Sequence, residues 1–168
     1  MARENPQATA GKIRKLSDVP LLYWTAASWG AAISVSKDDP DLIAEQPIAE
    51  ALIDQALRLD EKFESGSIHA FLINYEQVRQ GREGDAATRS KKHFDRALEL
   101  SEGKLASPLV SYAEAVCVIK QDRAQFESLL KRAIAIDSNE RPEWKLENLV
   151  MQRRARWLLT RTDELFLD

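Results

Sequence analysis

Residues 19–36 read VPLLYWTAASWGAAISVS, a run of 18 residues without a charge that holds two of the chain's four tryptophans. Apolar side chains fall on every side of its helical wheel, and such a helix must be enclosed by neighbours or by lipid. A run of 18 sits at the lower limit for a membrane span, and Thr25, Ser28, Ser34 and Ser36 thin its hydrophobicity. The pattern therefore predicts a buried first helix. Its small residues Ala27, Gly30, Ala31 and Ser34 lie one turn apart, so a second helix could approach along them. Leu22, Trp29 and Ile33 occupy other faces, where further helices should pack. Trp24 and Trp29 are both expected to be shielded.

Outward from this stretch the chain reads as helices and little else. Pro20, Pro40, Pro47, Pro108 and Pro142 all stand where a helix could begin, since the first turn has no use for the amide that proline lacks. No β-alternation of useful length and no Asn-Gly or Asp-Gly hairpin signal occurs. The expected helices cover roughly 20–36, then 40–60 with a bend at Pro47. A third opens at Gly66-Ser67, with Ile68, Phe71, Leu72, Tyr75 and Val78 as its stripe. A fourth is capped by Asp85 and runs to about Leu100. A fifth starts at Ser107-Pro108, a sixth follows Gln121-Asp122, and a last one runs from Pro142 to about Phe166. Residues 1–17 are polar and are expected to form a flexible N-terminal segment ahead of a single domain over 18–168.

An internal repeat organises these helices. Gln55-Ala56-Leu57-Arg58-Leu59-Asp60 recurs as Arg96-Ala97-Leu98-Glu99-Leu100-Ser101 and as Arg132-Ala133-Ile134-Ala135-Ile136-Asp137, at spacings of 41 and 36 residues. Tetratricopeptide repeats have a period of about 34. Each alanine is preceded three positions earlier by a large apolar residue: Ile53, Phe94 and Leu130. The alanine lets two helices meet and the larger residue fills the gap beside it. The expected fold class is all-α, a tetratricopeptide-repeat-like helical superhelix of three helix pairs and a long C-terminal capping helix, with a concave inner surface.

The search for catalytic chemistry is largely negative. A length of 168 residues with 44% apolar and 30% charged side chains is ordinary for one globular domain. The net charge of −3 gives no electrostatic reason to expect nucleic acid. Arg153, Arg154 and Arg156 read as a solvated helix face. The lone Cys117 excludes an internal disulfide and reads as a buried small hydrophobe. His69 and His93 have neither a carboxylate nor a second histidine at ligand spacing. No metal site, cofactor or enzyme motif is expected, and Ser128 and Lys131 match S-x-x-K without its companion motifs. Residues 1–17 lack the apolar core of a signal peptide. The protein is therefore cytoplasmic, or a leader was removed ahead of Met1.

What remains is a binding surface. First helices of the pairs would line the concave side, which places Trp24, His69, Tyr75, Tyr112 and Asn148 on a common groove or pore. Aromatic rings with polar tips suit an apolar ligand that must also be oriented. The competing reading is that these rings fill the spaces between repeats, and that Asn148 and Gln152 belong to a structural network.

Several of these residues carry a resemblance. Tyr23-Trp24-x4-Trp29-Gly30, Ala56-Leu57-x-Leu59-Asp60 and Gly66-x-Ile68-His69-x-Phe71 resemble the TatT family, the T-components associated with TRAP (tripartite ATP-independent periplasmic) transporters. His93-Phe94-x2-Ala97-Leu98, Tyr112-Ala113, Asn148, Arg154-Ala155, Leu158-Leu159 and Glu164-Leu165-Phe166 extend it over about 20–166. The resemblance implies a non-enzymatic, tetratricopeptide-like protein of the bacterial periplasm, lipid-anchored when full length. It also implies partnership with a substrate-binding P-component, an apolar small molecule in a groove or pore, and homo-oligomerisation. The sequence departs from the family pattern in two respects: it carries no export signal or lipid-accepting cysteine, and it begins where family members have additional N-terminal helices. The alternative is a generic tetratricopeptide scaffold that binds a protein or peptide partner in the cytoplasm.

Overall fold

A computed structural model describes residues 5–36, 38–79, 81 and 83–167, and among these all regular structure is helical, with no strand. The chain divides into two units, Met1–Glu64 and Ser65–Asp168.

In the first unit, α1 (Pro6–Ala10) begins where the Asn5 side chain accepts from the Ala8 amide at 2.9 Å. A 3-10 turn (Leu16–Asp18) leads into α2 (Val19–Val35), with a proline in its first turn. Asp39 caps α3 (Pro40–Ile43) by accepting from the amides of Asp41 and Leu42, both at 3.1 Å. α4 then covers Gln46–Leu59. The single bent helix expected over 40–60 is thus two helices. Pro47 has no N–H to offer the Ile43 carbonyl, so the hydrogen-bond ladder ends and restarts there.

α2 and α1 both pack on α4, whose buried face is built from Ala49, Ile53 and Ala56. The segment expected to be flexible therefore carries a helix that packs on α4. Ala10 is buried, and the Gln55 side chain donates to the Ile13 carbonyl.

The enclosure expected of α2 is only partial. Val19, Leu22 and Ala26 are buried. Trp29 is half-buried and donates its indole N–H to Glu45 at 3.2 Å. Trp24, expected to be shielded, is 56% exposed, and Leu21 and Val35 are 70% and 83% exposed. Ala31 and Ser34, expected to form the close-approach stripe, are exposed as well. An all-apolar wheel shows that each face tolerates burial. It does not supply a neighbour for each face.

In the second unit, α5 (Ser67–Tyr75) starts from Gly66, held at φ 101°. A Cβ at Gly66 would lie 3.3 Å from the Ala97 Cα and from the Leu100 Cβ, so glycine both permits the turn and lets α5 close on α6. α6 (Ala86–Leu100) is capped as expected by Asp85, which accepts from the Thr88 amide at 2.9 Å. α7 (Ser107–Tyr112) widens into a π-turn over Ala113–Cys117. α8 (Arg123–Ala135), a 3-10 turn (Pro142–Trp144), α9 (Lys145–Thr160) and α10 (Thr162–Leu165) complete the chain. Two expectations need correction here. α5 stops at Tyr75, which leaves Val78 exposed, and the last helix breaks at Arg161 before resuming as α10.

α5 packs on α6 and α7, and α9 packs on α8 and α7. One core joins them, including Phe94, Leu109, Tyr112, Val116, Phe126, Leu130 and Phe166. The recurring alanines Ala56, Ala97 and Ala133 are all buried near the ends of α4, α6 and α8, as are Ile53, Phe94 and Leu130.

Candidate functional site

Trp24 lies in the first unit, whereas His69, Tyr75, Tyr112 and Asn148 lie in the second and are all buried. Their surroundings differ. Asn148, on α9, accepts from the Ala106 amide at 2.8 Å and donates to the Lys104 carbonyl at 3.0 Å. One turn on, Gln152 donates to the carbonyls of Ala133, Ile134 and Ile136 at 3.2, 3.2 and 2.7 Å. These two amides tie α9 to the 104–106 segment and to the end of α8, where helical carbonyls have lost their intrahelical partners. Asn148→Ala would leave a buried amide without its acceptor. We expect a loss of about 1–3 kcal/mol, read by urea denaturation.

Tyr112 packs its ring 4.5 Å from that of Phe94, and burial pushes its phenol above the usual tyrosine range. Tyr75 stacks on Phe71 at 5.3 Å with 21° between the ring planes. His69 Nδ1 lies 2.9 Å from His93 Nδ1. Sequence spacing gave neither histidine a second histidine at ligand distance. The close approach of α5 and α6 supplies one from 24 positions away. One ring donates and the other accepts, so the pair shares a single bridging proton. Among the described residues no group of three or more histidines, cysteines or carboxylates is placed to hold a metal. Burial raises the Cys117 thiol to about 12, and it donates weakly to Gln125 Oε1 at 3.4 Å. That thiol is no nucleophile at neutral pH.

The open feature lies on α2. Trp24, Thr25, Ser28, Trp29, Ala32 and Leu42 line a shallow depression of about 580 Å³. None of the lining side chains is charged. The Trp29 indole is held by Glu45, while Trp24 stands half in solvent and packs edge-on to Tyr23 at 5.0 Å. Tyr23 in turn rests on Phe63 at 5.4 Å. The depression can take an apolar group between two indoles, with the Thr25 and Ser28 hydroxyls as its polar points. No helix among the described residues is long and apolar enough to cross a membrane.

A family model described as TRAP transporter T-component matches residues 3–166 of the chain. An uncharacterized protein of Treponema pallidum (strain Nichols) is 26% identical over 151 residues, which cover 90% of this chain and 47% of the relative. The chain thus spans about half the length of that curated relative.

Proposed function

The chain belongs to the TRAP transporter T-component family, and from that premise we propose that it is a non-enzymatic periplasmic accessory subunit that docks the substrate-binding P-component. In this reading its helix pairs form a tetratricopeptide-like superhelix, and the full-length protein is lipid-anchored. The observation that carries the reading is the uncharged, exposed side of α2 with its depression between Trp24 and Trp29. An apolar side chain of the P-component, or an apolar small molecule passed to it, would fill that space. Trp24 makes the direct contact. His69, Tyr75, Tyr112 and Asn148, all buried in the second unit, enter the proposal only as candidate partner-binding residues and line no part of that depression.

Trp24→Ala separates binding from folding, because its ring is largely in solvent. We expect stability within about 1 kcal/mol of the parent. Affinity for the P-component encoded with the cognate permease should fall at least about tenfold, as for an aromatic anchor at an interface. Isothermal titration calorimetry reads the affinity and urea denaturation reads the stability. Unchanged affinity in Trp24→Ala would rule out the α2 depression as the contact.

A further inference from the structure

We propose that the outward face of α9 is a second docking surface, built for a partner helix whose apolar stripe is bordered by carboxylates. α9 buries Asn148, Gln152, Ala155 and Leu158 on one side. On the opposite side Leu146, Val150 and Trp157, at spacings of four and seven, are 76%, 52% and 45% exposed. A helix that only closes a core carries polar residues there. Here the face pointing away from the core carries an apolar line about 17 Å long, from Leu146 to Trp157.

Trp157 is pre-set for contact. Its ring lies under two guanidiniums, those of Arg154 at 4.4 Å and Arg161 at 5.2 Å. Arg154 is itself fixed by Glu114, to which it donates at 2.5 Å, and Arg161 is paired with Glu164. A ring held in this way loses little freedom on binding, and tryptophan and arginine are the residues most often found as interface anchors.

Charge selects the partner. Arg153 and Arg156 border the apolar line, and Lys145 stands at its start. Among the described residues the side chains of these three make no hydrogen bond or ion pair. Glu147 is the sole carboxylate along α9. Three unengaged cations on a chain of net charge −3 are a local excess, and complementary potential is what fixes partner and register at such a face. A symmetric pairing of α9 with its own copy would bring these cations together. An acidic-edged helix avoids that repulsion, and its apolar stripe can pack along the line of Leu146, Val150 and Trp157.

The test uses the full chain and two synthetic amphipathic helices that share a leucine stripe, one bordered by glutamate and the other by lysine. Vesicles of phosphatidylethanolamine and phosphatidylglycerol form a third arm. Binding followed by fluorescence anisotropy should favour the glutamate peptide by at least about tenfold. Val150→Asp should abolish that binding, Trp157→Ala should weaken it about tenfold, and Arg153→Glu with Arg156→Glu should reverse the preference between peptides. All of these side chains are exposed, so circular dichroism should show an unchanged fold. Equal binding of the two peptides, no binding, or binding that survives Val150→Asp would overturn the proposal. So would vesicle adsorption that outcompetes the glutamate peptide, or a dimer in sedimentation that Val150→Asp dissociates. Trp24→Ala should leave this binding unchanged, so the α2 and α9 surfaces fail or stand separately.

Discussion

Glu76→Gln is expected to destabilise the second unit by about 3–5 kcal/mol, because it breaks a buried charge cluster from the inside. Glu76 is buried just past the end of α5. It accepts from Arg79 Nη1 at 2.9 Å and from Arg89 Nε at 2.5 Å. Arg89 also donates to the Glu76 carbonyl at 3.2 Å and to the Gly84 carbonyl at 2.6 Å. One carboxylate thus ties the end of α5 to the first turn of α6 and to the loop between them. A neutral amide in its place removes the carboxylate charge that both guanidiniums share. The same cluster sets a pH dependence. Burial alone would raise the Glu76 carboxyl, but hydrogen bonds from Arg89 and Arg79, with their charges, outweigh it and hold the group below the usual carboxylate range. A depressed acid contributes stability above its unfolded value of about 4.3, and that contribution is lost as pH falls through the lower folded value. Urea denaturation of parent and Glu76→Gln at pH 7, and again well below the carboxylate range, checks this. The gap between the two proteins should be wide at neutral pH and should narrow on acidification. A gap independent of pH would show that the loss comes from packing and not from the charge.

None of this cluster was visible in the linear pattern, and the reason is general. Glu76 and Arg79 fall within the helix expected through Val78 and belong to none of its named features, and Arg89 lies 13 positions beyond Glu76. The histidine pair was hidden in the same way, since spacing rules detect ligands on one helix turn and these two stand on different helices. Features that a single helix determines were legible. The Asp85 cap and the helix starts at Pro20 and Pro108 follow from local geometry and stand where expected, and Ala56, Ala97 and Ala133 are buried. The α2 helix shows the opposite limit. Its apolar wheel located the helix but could not say which sides have neighbours, so Trp24 was expected to be shielded and stands in solvent. On α9 the arginine cluster read as a solvated face. The apolar line it borders became visible only once Asn148 and Gln152 fixed which side of the helix points inward.

Burial, rather than ring size, sets what an aromatic side chain contributes to stability, and Phe126→Ala is the second large effect we expect. Phe126 has no solvent exposure. It lies near the start of α8, one turn before Leu130, and meets Phe166 edge-on with ring centroids 5.0 Å apart and 63° between the planes. Phe166 sits just past the end of α10, so this contact fastens that segment to the core of the second unit. Truncation removes the ring's transfer energy and opens a cavity that close-packed neighbours cannot fill. We expect a loss of about 3–5 kcal/mol for Phe126→Ala and less than about 1.5 kcal/mol for Phe126→Leu, which retains most of the volume. The thermal midpoint of the alanine variant should fall with it, and amide exchange at the chain's end should accelerate as the Phe166 anchor is lost. Trp24→Ala deletes a larger ring and provides the comparison. If Phe126→Ala were no less stable than Trp24→Ala, the core assigned to the second unit would be wrong at its centre.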